Sequence, residues 1–523
     1  MTKSPFASFL LLGLLALSGT FLVLYATPQG MGLSDDSIAY IAGARSIISG
    51  QGYREAWLAS NQPVTHFPPG FSALLALLGL SGLDPLRGTR FINALIFGSN
   101  IFLFGIIGWR MTKSKVAGIA LSLLLLLNGQ LFRIHTTAMS EPLYIFFTLA
   151  AFLSFWHYFS IEEQRNSVFW LVLTAILTAF AYLTRYAGLA LLATFLVALF
   201  TIHPAWKKRL TRVGIFLAGF IPFALVWSIR NRLLADNATN RTLVYHPITA
   251  ENIQLGIANF SSFILPFETW RRELFKIPNL FAVIFAVLVL SLLIWVLTKG
   301  LKKFFKPTTE TPELLSFISV LYVFAYLASI ISSMTLFDAS TKFQLRIVAP
   351  IYVSLLVMLV YLGYWLWQVS FMKQALRITF YAFTFYVFTV SVFNFTETLT
   401  QLRKGGQGYA SFQWFDSEAM QFLQTLPEGA RIYTNEAAAV YLYTNRPAYV
   451  LPDLVDPVTG LPRGRFDEGV SELHADVLSG EAALALFDVD SKDEEVQSVY
   501  QILAEGLYPA FSRQNDEIYT AFP

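Results

Sequence analysis

Two adjacent carboxylates, Asp35 and Asp36, open the stretch GLSDDSIAYIAGARSIISGQGY, directly after an apolar run of membrane-spanning length. Acids at such a point have three uses: capping a helix, binding a cation, or taking a proton from a hydroxyl. Ser34 or Asp35 as N-cap accounts for one acid and is a poorer reason for two. A carboxylate within hydrogen-bond reach of a hydroxyl serves as a general base, and Asp36 is the stronger candidate. A second acid, Glu141, lies in RIHTTAMSEPLY. There Ser140 reads as a cap, with Glu141 at the positive end of the helix dipole and Pro142 in the first turn. Capping and chemistry ask for the same position, so neither use rules out the other.

Around these acids the chain places cations, among them Arg45, Arg185, Lys342 and Arg346, with Arg241, Arg271 and Arg272 in a longer loop. A guanidinium presents a planar fork suited to phosphate oxygens, and such pairs strengthen where water is partly excluded. Lipid headgroups or snorkelling from helix ends account for any single one of them. His66, His135 and His246 fall in the same set of loops and could join Glu141 around a metal, although their spacing does not fix such a site. No cofactor is required by these residues, and a divalent cation is the one they leave open.

The elements that position these groups are mostly membrane helices. The 523 residues are 55% hydrophobic and 14% charged, and the mean hydropathy of +0.54 lies far above that of a soluble enzyme. There is no cysteine, which excludes disulfides, thiolate metal sites and cysteine nucleophiles. Apolar runs predict about eleven spans: 6–25, 91–109, 116–132, 143–157, 168–184, 187–201, 213–229, 278–297, 314–336, 347–368 and 378–395. Basic clusters at every second connection (Arg110 to Lys115, Lys207 to Arg212, Lys299 to Lys306, Lys373 with Arg377), together with Lys3, put the N-terminus in the cytoplasm.

An odd number of spans then puts the C-terminal region outside, in a protein of the plasma (inner) membrane. From Glu397 onward 20 acidic side chains face only 8 basic ones, a balance opposite to that of the rest. Residues 1–397 therefore read as a transmembrane domain with a first outer loop over 28–90. Residues 398–523 read as a small extracytoplasmic α/β domain, with strands at RIYT, AYVLP, AALALFDVD and EIYTAF. Two outer segments read as membrane-associated helices: the amphipathic surface stretch opened by Asp35, and the short apolar one between Pro68 and Pro85, interfacial or re-entrant.

On this topology the acids and cations gather on the outer side, while the middles of the spans carry no Asp, Glu, Lys or Arg. A transporter or flippase needs a polar path through the bilayer that such spans do not supply. A non-catalytic scaffold remains the other alternative. The order of motifs resembles a known family: one span, DDSIAYIAGAR, a HFPPG turn, SEPLY, LTRYAGLALL and later QLRIVAPIY. It is similar to the GT-C superfamily of polytopic glycosyltransferases, in the bacterial branch related to protein O-mannosyltransferases and the lipid A aminoarabinose transferase.

The resemblance implies a hexosyl or pentosyl transferase that moves a sugar from a polyprenyl-phosphate donor to an extracytoplasmic glycan, lipid or protein acceptor, with membrane lipids as its surroundings and no nucleic acid. It implies Asp36 and Glu141 as catalytic acids. Arg45, Arg185, Lys342 and Arg346 would bind the donor phosphate, and Asp35, Tyr40 and His66 would be contacts to substrate or metal. His66-Phe67 stands where the aminoarabinose transferase has an acid before its Pro-Pro, which weakens any metal ligand carried over to that position.

Overall fold

The computed structural model describes residues 5–160, 166–203, 205–234, 243–264, 269, 273, 278–304, 313–368, 374–456, 458–490 and 494–521. Arg241, Arg271, Arg272, Lys306 and Lys373 lie outside the described residues. The chain divides into two compact units. One holds Met1–Pro28, His66–Phe71 and Arg90–Lys404, and the other Gln29–Thr65, Ser72–Thr89 and Gly405–Pro523.

The first unit is helical. In chain order the helices are α1 (Pro5–Ala26), α2 (Asp35–Ile48), α3 (Gly70–Gly79), α4 (Pro85–Thr112), α5 (Lys115–Leu126), α6 (Gly129–His135), α7 (Glu141–Ser160), α8 (Ser167–Thr184), α9 (Gly188–Ile202), α10 (Trp206–Leu234), α11 (Ala250–Ile264), α12 (Pro278–Phe304), α13 (Leu314–Leu336), α14 (Leu345–Gln368) and α15 (Gln374–Gly405). Of these, α2, most of α3 and the start of α4 belong to the second unit. Packing is closest between α7 and α8, α8 and α10, α9 and α13, and α13 and α14. Phe152, Phe155, Phe195, Tyr144 and Tyr322 are fully enclosed among them.

Ten of the eleven apolar segments each coincide with one helix and the eleventh, 116–132, is divided between α5 and α6, so the count of eleven spans is not confirmed. Among the described residues seven helices are long and apolar enough to cross a membrane, or eight if α5 and α6 form one bent span. The single span expected over 116–132 is broken by 66°. Asn128 is the reason: its Oδ1 accepts from the Leu131 N–H at 2.9 Å, capping a new helix, and Gly129 follows. α9, with 15 residues, is shorter than the roughly 20 a span needs.

The second unit carries a five-stranded sheet of order β2-β1-β3-β5-β4, with β1 (Arg431–Thr434), β2 (Tyr449–Val450), β3 (Ala482–Leu486), β4 (Tyr508–Arg513) and β5 (Asp516–Thr520). β1 pairs parallel with β2 and β3, joined through helical crossovers, while β5 runs antiparallel to β3 and β4. Every residue of the central β3 is buried, and Leu473, Val477, Leu484 and Leu503 form its core. The β4–β5 hairpin turns on Gln514 and Asn515, both with positive φ (53° and 68°), the two-residue turn that suits the twist of paired strands.

The first loop belongs to this same unit. Leu33 bridges to Gly408, whose φ is +57° and whose position would place any Cβ 1.9 Å from the Leu33 carbonyl oxygen. Only glycine fits there. α2 is buried from Ser37 to Ala44, more enclosed than a helix lying on a membrane surface.

Candidate active site

In the first unit the site is built around Glu141, the first residue of α7, whose side chain is about 1% exposed. The turn that carries it is held from α4. Asn93 and Asn100, two helical turns apart on that helix and both fully buried, donate through Nδ2 to the carbonyl oxygens of Thr137 (2.6 Å) and Pro142 (3.1 Å). Asn100 Nδ2 also meets His135 Nε2 at 3.0 Å, and His135 Nδ1 lies 2.7 Å from the Leu131 carbonyl oxygen. With Nδ1 donating to that carbonyl, Nε2 is left as the acceptor for Asn100. His135 is thus part of the support for the loop.

Two guanidiniums converge on Glu141. Arg185 Nη1 lies 2.7 Å from Oε1 and donates to Ser140 Oγ at 3.0 Å. Arg346 Nε lies 3.9 Å from the same oxygen and donates to Gln344 Oε1 at 3.0 Å, while its Nη1 is 3.8 Å from Met139 Sδ. Arg185 follows directly on α8. The Gly188 that opens α9 is needed because a Cβ there would come within 2.4 Å of the Tyr182 backbone. Arg346 stands in the first turn of α14, four residues before Pro350, whose missing N–H leaves the Arg346 carbonyl without its helical donor.

The two arginines remain partly open, at 20% and 32% side-chain exposure, over an almost fully buried acid. Glu141 Oε2 is buried and has no hydrogen-bond donor among the described residues. Two guanidiniums thus stand together over one carboxylate, in a geometry suited to the oxygens of an anion. Lys342 is exposed in the loop before α14, and no described contact brings it to Glu141. His66 packs its ring on Phe67, 4.3 Å between centroids.

In the second unit Ser34 takes the N-cap position of α2, its N–H donating to Ser37 Oγ at 3.1 Å. Asp35 and Asp36 occupy the first turn, where the helix dipole favours carboxylates. Asp35 Oδ1 accepts from the Tyr409 hydroxyl at 2.7 Å, and the same hydroxyl lies 2.6 Å from Glu436 Oε2. Burial holds the Glu436 carboxyl above its ordinary range, with Asp35, Asp488 and Asp516 adding to the shift and the Tyr409 hydrogen bond opposing it. Asp36 is half-buried beside this array, and Tyr40 is buried at 2% exposure.

Arg45 is committed to Asp84, with Nε to Oδ2 at 2.9 Å and Nη2 to Oδ1 at 3.1 Å. Burial works against the Asp84 charge, but the Arg45 hydrogen bonds and charge, with the backbone N–H groups of Leu86 and Arg87, outweigh it and lower the pKa. A carboxylate with a lowered folded-state pKa stabilises the fold above its unfolded pKa of about 3.9, and that contribution is lost as pH falls through the folded value. With both partners roughly a third exposed, Asp84→Asn should cost no more than about 1 kcal/mol near neutral pH. It should also flatten the acid limb of a thermal-denaturation series.

Glu141, Arg185 and Arg346 are therefore gathered at one point, Asp35, Asp36, Tyr40 and Arg45 share α2, and no described contact joins Lys342 or His66 to Glu141. Among the described residues no three His, Asp or Glu side chains come close enough together to hold a metal ion. These residues do not fit a ready-made metal site, and no step below runs through one. Asn93 and Asn100 went unremarked in the sequence, although two asparagines seven residues apart in an apolar helix are the signal that would have found them.

Comparison with known proteins bears on this arrangement. Residues 81–229 match the family described as dolichyl-phosphate-mannose-protein mannosyltransferase. No curated protein matches. Among solved structures, ArnT from Cupriavidus metallidurans bound to undecaprenyl phosphate is similar over 99% of this chain and 98% of its own, with TM-score 0.51 and 14% identity. The oligosaccharyltransferase AglB from Archaeoglobus fulgidus, in complex with an inhibitory peptide and a dolichol-phosphate, is similar over 95% of this chain and 70% of its own, with TM-score 0.55 and 12% identity. At such identities the structures speak for the fold alone. The fold along the whole chain and the family match over residues 81–229 agree with the loop motifs in likening this chain to the GT-C superfamily of membrane glycosyltransferases.

Proposed function

We propose that this protein is a glycosyltransferase that moves a hexosyl or pentosyl group from a polyprenyl-phosphate donor to an extracytoplasmic acceptor hydroxyl. The observation that carries the reading is the buried Glu141 with Arg185 and Arg346 upon it, two partly open guanidiniums gathered at one point. A sugar phosphodiester offers the oxygens that such planar forks bind. The structural relatives, with undecaprenyl phosphate and dolichol-phosphate bound, support a lipid phosphate as the occupant.

In the reaction the acceptor O–H gives its proton to the Asp36 carboxylate, and the acceptor oxygen bonds to the anomeric carbon. The bond from that carbon to the phosphate oxygen breaks, and its electron pair stays on the lipid phosphate. Charge on the leaving phosphate grows by one unit in that step, and two fixed guanidiniums stabilise it where water is partly excluded. Glu141 sets the spacing of the two cations. The apolar helix faces hold the prenyl chain, and the α/β region of the second unit takes part in selecting the acceptor.

Purified protein offered radiolabelled polyprenyl-phosphate sugars and a panel of glycan, lipid and protein acceptors should transfer label to one acceptor class. Absence of transfer from every lipid-phosphate sugar, with the protein folded, overturns the reading. On this reading the site lies on the outer face of the plasma membrane, with the N-terminus in the cytoplasm, as the basic loops suggest. A reporter that is active only outside the cytoplasm should therefore be active when fused at the C-terminus, and a cytoplasmic readout would reverse the orientation.

A further inference from the structure

Behind the two arginines lies a group of three tyrosines, Tyr144 on α7 with Tyr322 and Tyr326 on α13, each at most 1% exposed. Phenylalanine would pack as well in such a place and would leave no hydroxyl to satisfy, so buried phenols call for an account of their oxygens. The Tyr144 hydroxyl donates to the Ala187 carbonyl oxygen at 3.0 Å, two residues after Arg185. With that hydrogen committed, the 2.9 Å contact between the Tyr144 and Tyr322 hydroxyls has Tyr322 as donor. The Tyr326 hydroxyl donates to the Ile347 carbonyl oxygen at 3.0 Å, the residue after Arg346.

The rings are in mutual contact, Tyr322 and Tyr326 at 5.5 Å and Tyr144 and Tyr326 at 6.3 Å between centroids. Tyr144 itself stands three residues after Glu141, on the same side of α7. One packed cluster thus touches the main chain beside each cation and rises from the helix that bears the acid.

We propose that Tyr144 and Tyr326 are positioning residues for the phosphate site, each fixing the backbone next to one arginine so that both guanidiniums are held on Glu141. This rests on the reading of Arg185 and Arg346 as the donor-phosphate pair. The Tyr326 bond matters most, because Pro350 already deprives the first turn of α14 of one helical hydrogen bond. A tie from the neighbouring helix replaces part of the lost restraint. The hydroxyls do not touch the substrate, and their effect reaches it only through where the guanidiniums stand.

The test uses undecaprenyl phosphate as the probe and the full-length protein in detergent, comparing wild type with Tyr144→Phe, Tyr326→Phe, Arg346→Gln and Tyr158→Phe. Tyr158 is an equally buried phenol, hydrogen-bonded to His203 Nε2 at 2.8 Å and unconnected with either arginine. It controls for the general cost of losing a buried hydroxyl. Tyr144→Phe and Tyr326→Phe should each weaken probe binding about fivefold, the worth of one hydrogen bond, with a thermal shift no larger than that of Tyr158→Phe and with probe binding of Tyr158→Phe unchanged.

Adding Tyr326→Phe to Arg346→Gln should cost nothing further, since a positioning residue has no effect once its cation is gone. If Arg346→Gln weakens the probe while the two tyrosine variants bind as Tyr158→Phe does, the positioning role is wrong and the phosphate site stands. If wild type fails to bind, or Arg346→Gln binds as wild type does, the phosphate site itself is refuted and the tyrosines with it.

Discussion

Glu141→Gln should lower the turnover of sugar transfer by about a hundredfold or more while leaving affinity for the free lipid phosphate undiminished. The substitution keeps the shape of the side chain and removes one charge from a site where that charge faces two guanidiniums, at 2.7 and 3.9 Å. Removing one partner of a buried ion pair costs on the order of 3–5 kcal/mol, because the remaining charge is left without compensation. Here the remaining charge is two cations that repel each other and move apart, and about 1.4 kcal/mol of lost transition-state stabilisation is already a factor of ten in rate.

Ground-state binding responds in the other direction. The substitution makes the site more positive by one charge, which suits the doubly charged lipid phosphate product better than before. Product release should slow. A single-turnover rate measured beside an undecaprenyl phosphate binding curve separates the two effects. Turnover within a factor of two of wild type would remove Glu141 from the reaction and leave it as a helix-capping residue.

How far the sequence could be read depended on the range of the interactions involved. The helices were legible because burial in lipid imposes a long apolar run, and ten of the eleven such runs each coincide with one helix. The break at Asn128 was missed because hydropathy averages over a polar residue whose effect is a local hydrogen bond to Leu131 N. Strand β4 was missed for the opposite reason: at the sheet edge, with most side chains exposed, it carries no buried alternation to detect.

The site was legible to the extent that residue types speak for themselves. Glu141, Arg185 and Arg346 were singled out, and they meet, although 44 and 205 positions separate Glu141 from the two arginines. Arg45 was grouped with them as a phosphate ligand, and its bidentate partner Asp84 is a choice of pairing that no local pattern announces. The supporting shell of Asn93, Asn100, Tyr144 and Tyr326 consists of residues common in membrane helices, whose meaning appears only when the carbonyls they bind are known.

Asp36→Asn should abolish measurable transfer, by about 10²- to 10⁴-fold, the usual span for loss of a general base, with binding of the lipid-phosphate sugar retained. An amide cannot take the acceptor proton, so the nucleophile stays a neutral hydroxyl, whereas the arginines that hold the phosphate keep their charge. The cap of α2 has little at stake in this change. α2 is capped by Ser34 and Ser37, and the helix-dipole contribution of one first-turn carboxylate is only about 0.3–1 kcal/mol.

Asp35→Asn is the comparison that gives the result its meaning. Asp35 is tied to Tyr409, and an amide oxygen can still accept that hydrogen bond, so this variant should keep most of its activity. A strong loss at position 36 and a weak one at 35 assigns the proton to one oxygen-bearing group out of two adjacent ones. Equal losses would mean that the first turn of α2 matters as a unit, through its charge or its attachment to Tyr409. Undiminished transfer by Asp36→Asn would place the base elsewhere in the chain.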